Sequence, residues 1–212
     1  MFLGPPGAGK ATQTIRAAAE LGVPPIVLGV IFREAIANAT PMGRQIGQFV
    51  ASGLLVPDKL TNAIVSERLT QSDCEDGFVL DGYPRSLSQA RSFDLLLQKN
   101  KIALRGVLFF DVESLLLVDR LSQRRLCSQC ASIYNLHTHP PVSSGVCDTC
   151  GGSLIQRSDD TPAAIAKRLE EYREKVKPLL EFYEKKGVLI RIKAIGTVDE
   201  IAQSVSAVFR RI

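Results

Sequence analysis

No stretch of this 212-residue chain approaches the roughly 20 consecutive apolar residues of a membrane-crossing helix, and its N-terminus lacks the basic-then-apolar pattern of a signal segment. A soluble, cytoplasmic protein without a membrane partner is the expectation. Histidine is scarce: His137 and His139 lie together in a proline-containing stretch, and neither is near Cys74 in sequence, so Cys74 reads as a bystander thiol rather than a nucleophile. The five cysteines are an odd number, which fits poorly with a fully paired secreted framework and better with metal binding in a reducing compartment. A strong excess of one charge is also missing. Lys and Arg number 26 against 22 Asp and Glu, a net +4, and the arginines are spread along the chain, which suits small anionic ligands. Nucleic acid is not an expected partner. With 45% hydrophobic residues, the length is enough for one sizeable core and a small insertion or two.

Two features carry the chemistry. Cys127, Cys130, Cys147 and Cys150 form two CxxC pairs flanked by Gly151 and Gly152, a spacing that suits one tetrahedral zinc in a small ribbon. Two disulfides or inert core thiols are the other readings of these residues. Because four thiolates complete a tetrahedral site, His137 and His139 are surface residues on this reading and the zinc is structural. The second feature is Gly4-Pro5-Pro6-Gly7-Ala8-Gly9-Lys10, a glycine-rich run whose backbone N–H groups can cradle phosphate at a helix N-terminus. The usual phosphate-loop pattern places Ser or Thr directly after the Lys, whereas here Ala11 intervenes before Thr12. The glycines still let the backbone wrap phosphates, Lys10 can reach a transferring phosphoryl group, and Thr12 can join the shell of a magnesium ion.

The elements alternate along the chain. A very short apolar run ends at Leu3, and Lys10 to Leu21 reads as a helix. A strand, Phe78 to Asp81, leads into a turn at Gly82 to Pro84 and a helix from Ser86 to Asn100. Val107 to Phe110 reads as a buried strand and Glu113 to Ser122 as a helix; composition then shifts to Cys, Ser, Gly, His and Pro as far as about Asp160, an inserted module. Thr161 is a good N-cap with Pro162 in the first helical position, opening a long helix to Lys186 that Pro178 is expected to kink or break. A strand from Val188 to Ile192 and a helix from Val198 to Arg211 finish the chain. This pattern predicts an α/β fold, a parallel sheet with helices on both faces.

The glycine run, Asp81-Gly82-Tyr83-Pro84-Arg85, Asp119-Arg120 with Arg124, Asp159-Asp160 after Arg157, and the four-cysteine insert together resemble the adenylate kinases in their long, zinc-bearing bacterial form. The resemblance spans almost the entire chain. It implies a P-loop nucleoside monophosphate kinase with a core (1–26, 57–122 and 161–212), a small helical NMP-binding arm (27–56) and a zinc-binding lid (123–160), acting as a monomer. The implied reaction is ATP + AMP giving two ADP. On the ATP side the matching residues are Gly7, Ala8, Gly9, Lys10, Ala11 and Thr12, with Arg124, Ile133 and Tyr134 in the lid and Gly196 near the adenine. On the AMP side they are Arg33, the backbone of Leu54, Leu55 and Val56, Gly82, Tyr83, Pro84 and Arg85, Gln89 for the base, and Arg157 and Arg168. Arg33 and Arg85 would clamp the AMP phosphate, while Arg120, Arg124, Arg157 and Arg168 gather on the transferring group and Lys10 is the central cation. Asp81 would hold magnesium through water, with capping of the next turn as its other reading.

The chain departs from the family pattern at several places. Ala11 replaces Gly, Val27-Leu28-Gly29-Val30 replaces Ser-Thr-Gly-Asp, Pro25 stands where His is frequent, and Ile195 stands where Asp or Asn precedes Gly196. Leu28 has no hydroxyl for the AMP base and Val30 no carboxylate for magnesium's waters. These changes keep open a catalytically weakened ATP-binding relative or a kinase for another nucleoside monophosphate.

Overall fold

The computed structural model describes residues 1–211, apart from the side chains of Ser114 and Leu115. Five parallel strands form the central sheet: β1 (Phe2–Leu3), β2 (Pro25–Val27), β3 (Val79–Asp81), β4 (Val107–Asp111) and β8 (Leu189–Lys193), in the order β2-β3-β1-β4-β8. In β4, Val107, Leu108, Phe109 and Phe110 are all buried, as a strand covered on both faces requires. Phe2 pairs with Asp81 on one side and Leu108 on the other, so the carboxyl ends of β1, β3 and β4 open at the same edge. The chain reverses direction on the sheet about β1, and a crevice outside the strand ends at such a point is where ligands bind in open α/β folds.

Helices α1 (Lys10–Leu21), α4 (Asp58–Leu69), α5 (Leu87–Lys99), α6 (Ser114–Ser122), α7 (Pro162–Lys185) and α8 (Val198–Phe209) cover the sheet. One core joins Phe2, Leu108 and Phe110 to Leu121, Ile165 and Val205, with the Phe2 and Phe110 rings 5.1 Å apart. A second joins Ile26, Leu80 and Phe93 to the 28–56 segment.

Helix α7 runs through Pro178 without a break, contrary to the break allowed for from sequence. Proline leaves the carbonyl four residues earlier without its donor, but Glu174 is exposed and water can take that place. Leu179 and Tyr183, both buried, hold the helix beyond the proline on the core.

Sequence periodicity did not reveal the segment 25–69. After β2, α2 (Leu28–Ala37) and α3 (Pro41–Ala51) form a helical hairpin. Thr40 caps α3 by accepting from the N–H of Gly43 at 2.9 Å, with Pro41 as the first residue. A β-carbon at Gly43 would lie 1.9 Å from the Ala35 carbonyl oxygen, so the two helices approach too closely for any larger residue.

The inserted module is a three-stranded antiparallel sheet of β5 (Arg124–Cys127), β6 (Ile133–Asn135) and β7 (Leu154–Ile155), in the order β6-β5-β7. Its own small core is Cys127, Tyr134 and Cys147 with Leu154 against them. No helix among the described residues is long and apolar enough to cross a membrane.

Candidate active site

From buried Leu3 the chain turns through the glycine run into α1, and Gly7 and Gly9 each adopt φ +84°, a conformation that strains any residue with a β-carbon. The free N–H groups at the start of α1 therefore face a cleft of about 800 Å³. Lys10 folds back over the loop and donates to the Pro5 carbonyl at 2.9 Å. Burial lowers its pKa to about 8; Asp81 works against this, and Arg85, Arg168 and Arg124 add to it. Asp81 ends β3 almost fully buried, and burial pushes its pKa upward against the pull of Lys10. Its Oδ1 has no hydrogen-bond partner within the protein. An orphaned buried carboxylate oxygen, with Thr12 on the same cleft, fits a hydrated magnesium ion.

The opposite wall is made of guanidinium groups held by two adjacent carboxylates. Asp160, with no exposed surface, accepts from Arg124 Nε at 2.7 Å and Nη2 at 2.5 Å, and from Arg168 Nη1 at 2.9 Å. Asp159 accepts both ends of the Arg157 fork and lies 3.2 Å from Arg168 Nη1. Burial opposes ionisation of Asp159, but the Arg157 hydrogen bonds and the nearby charges of Arg168, Arg157 and Arg124 hold its pKa below the usual value. Burial lowers the pKa of Arg33 and of Arg168 to about 10 each, still well above neutrality. Lys10, Arg33, Arg85, Arg124, Arg157 and Arg168 line one cleft together with Arg16 and Arg120, and the carboxylates that oppose them are Asp81, Asp159, the deeper Asp160, and Glu171, Asp199 and Glu200. The excess of positive charge, with guanidinium forks gathered around Lys10, suits an anionic ligand.

Arg120 stands apart from this group. It donates to the Ala194 carbonyl at 3.2 Å, beside the loop that carries Gly196, rather than pointing toward Asp159 and Asp160.

At one end of the cleft the walls are Val27, Gly29, Phe32 and Leu54, Leu55 and Val56. Leu28 turns away into the second core, where packing explains an apolar residue. Gly82 turns the chain at φ +85°, and Arg85 Nε donates to its carbonyl at 2.8 Å. Buried Tyr83 donates to Asn62 at 2.8 Å, and Pro84 lines the cleft. Gln89 is buried with both ends of its amide in use: Oε1 accepts from the Arg85 N–H at 2.7 Å and Nε2 donates to Asp58 at 2.7 Å. In this conformation it holds the Arg85 turn rather than facing the cleft.

The other end lies between the inserted sheet and the loop after β8. Ile133, Tyr134 and His139 line one side, and Gly196, Thr197 and Val198 the other. Below them the four cysteine sulfurs all fall within 4.8 Å of one another. Zn–S bonds of about 2.3 Å in a tetrahedron separate sulfurs by about 3.8 Å, so the cluster fits one zinc ion. Tyr134 Oη accepts from the Asp148 N–H at 2.8 Å, leaving its own proton for Cys147 Sγ at 3.4 Å. That hydrogen bond favours the thiolate form of Cys147, which metal binding requires.

A family model described as adenylate kinase matches residues 2–188. The chain belongs to the adenylate kinase family. An adenylate kinase of Fervidobacterium nodosum is 47% identical over 201 residues, covering 95% of this chain and 92% of the relative. One from Caldanaerobacter subterraneus subsp. tengcongensis is 43% identical over 205 residues, covering 97% and 93%. One from Thermosipho africanus is 42% identical over 211 residues, covering 100% and 99%. As in the resemblance drawn from sequence, the match runs along most of the chain and is not confined to the glycine loop.

Within this adenylate kinase chain, sequence reasoning noticed Asp159 and Asp160 but assigned them no role. Their position three and two residues before Pro162, beside a run of arginines, was the available signal. Which guanidinium each holds depends on contacts with Arg124 and Arg168, on other elements, and no local pattern encodes them.

Proposed function

We propose that this chain transfers the terminal phosphoryl group of ATP reversibly to AMP, giving two ADP. The observation that carries the reading is the cleft lined by the glycine loop and Lys10, by the Asp-held arginines, and by Val27, Phe32 and Leu54 to Val56 as well as Ile133, His139 and Gly196 to Val198. Phosphoryl transfer asks the protein for positioning and positive charge rather than a covalent participant. ATP phosphates would lie on the Gly7–Thr12 backbone, with Lys10 reaching the transferring group. Arg33 and Arg85 would hold the AMP phosphate, and Arg124, Arg157 and Arg168 would converge on the oxygens that carry the developing charge. Arg120, bonded beside Gly196, would serve the donor base end instead. Gln89 can read the acceptor base only by giving up its bond to Asp58, so base recognition there rests first on Leu54 to Val56 and the apolar walls. Magnesium, held through water by Asp81 and Thr12, would supply charge neutralisation to the phosphates.

Residues 123–160 would act as a lid and 27–56 as an arm, closing to keep water from the transferring group. Zinc at Cys127, Cys130, Cys147 and Cys150 would be structural, since four thiolates leave no open position. A cytoplasmic monomer is the assembly in keeping with this reading. The test is ADP formation from ATP, AMP and magnesium, with Lys10→Met as the control for contaminating kinase. Turnover that falls by orders of magnitude in the variant, with an unchanged fold, supports the assignment; equal turnover in both would remove Lys10 from the chemistry.

A further inference from the structure

Tyr134 is the lid aromatic that sequence nominates for ATP, but its surroundings are already full. Only 4% of it is exposed, and its hydroxyl is committed to Asp148 and Cys147. The imidazole of His139 lies parallel to its ring, with centroids 5.7 Å apart and an interplanar angle of 6°. His139 is itself exposed and lines the same end of the cleft, opposite Gly196 to Val198.

Its position is built rather than incidental. Asn135 and His139 exchange two backbone hydrogen bonds, at 3.1 and 2.9 Å, closing a tight turn. Inside that turn Asn135 Oδ1 accepts from the N–H groups of His137 at 2.9 Å and Thr138 at 2.8 Å. Asn135 Nδ2 donates to the Arg120 carbonyl at 3.2 Å, tying the turn to the C-terminal end of α6. The imidazole is thus fixed by backbone and by the ring beneath it, and its surface needs little ordering when a flat ligand arrives.

We propose that His139 is the stacking surface for the donor base, with Tyr134 acting beneath it as a support that joins this surface to the cysteine cluster. The proposal rests on the reading of this cleft as the ATP site. Every purine has a π face, so such a surface contributes affinity for the base while leaving the phosphate contacts untouched.

The experiment compares wild type, His139→Ala and His139→Phe by steady-state kinetics in ATP and in AMP, with inorganic tripolyphosphate as a base-free competitor of ATP. Zinc content of each protein is measured alongside. For His139→Ala the expected result is a KM for ATP raised about five- to thirtyfold, with KM for AMP, kcat and tripolyphosphate inhibition within about twofold of wild type. His139→Phe should restore KM for ATP. An unchanged KM for ATP in His139→Ala overturns the proposal, as does a loss shared equally by tripolyphosphate or not rescued by Phe. Absence of ADP formation in wild type would overturn the kinase reading itself, and with it this one.

Discussion

Replacing Asp160 by Asn removes a charge from the centre of the arginine cluster while almost preserving its shape. Asp160 has no exposed surface and accepts three charge-assisted hydrogen bonds, two from Arg124 and one from Arg168. Removing one partner of a buried ion pair costs about 3–5 kcal/mol. The side chains of Arg124 and Arg168 are 15% and 16% exposed, so water can relieve part of that, and the Asn carbonyl keeps one acceptor. A loss of about 2–4 kcal/mol is the expected net result. For a chain of this size that lowers the melting temperature by about 5–15 °C, read by calorimetry at neutral pH. Saturating ATP and AMP should recover part of the loss, because their phosphates supply the negative charge that Asp160 no longer does. Turnover should fall about tenfold or more as the guanidinium groups lose their fixed orientation. A melt within about 1 °C of wild type, with normal turnover, would refute the reasoning that this carboxylate holds the cluster.

Tyr134→Phe removes the donor to Cys147 Sγ and should weaken zinc about tenfold or more in a chelator competition, while full chelation lowers the melting temperature of the wild type. An unchanged melt together with no zinc by elemental analysis would sink the metal assignment. In the free protein Lys10 titrates at about 8, and ATP phosphates favour its charged form, so its pKa rises on binding. ATP binding should therefore take up protons above pH about 8, seen as a buffer-dependent heat in titration calorimetry that disappears in Lys10→Met. Gln89→Leu strands the Arg85 N–H and the Asp58 carboxylate, and should destabilise the protein by about 1–3 kcal/mol in denaturant titration. Equal stability would mean that Gln89 does not brace this turn.

The parts of the fold that sequence disclosed have strong local signals. Strand β4 is apolar from Val107 to Phe110 and α7 opens on a Thr-Pro cap, so both could be placed to within a few residues. The run Val27 to Phe32 is equally apolar but satisfies strand and helix alike, which is why α2 stayed hidden. β2 is three residues long and begins at Pro25, with too little length to show a period. At the site, the glycine loop with Lys10 and the paired cysteines stand out by their spacing, whereas the arginines are named only through the family resemblance. The commitment of Gln89 to Asp58, the bond of Arg120 to Ala194 and the burial of Tyr134 depend on partners far away in the chain, and only the folded arrangement reveals them.

The central place of β1 in the sheet has a bearing on how the chain matures during synthesis. Phe2 sits between Asp81 and Leu108, partners that leave the ribosome about 80 and about 105 residues later, and β8 closes the sheet later still. Until then the two-residue strand and the glycine loop behind it have nothing to pair with. The first residues of the proposed site to be made are thus among the last to be fixed, and the glycine loop takes shape only when most of the chain has emerged.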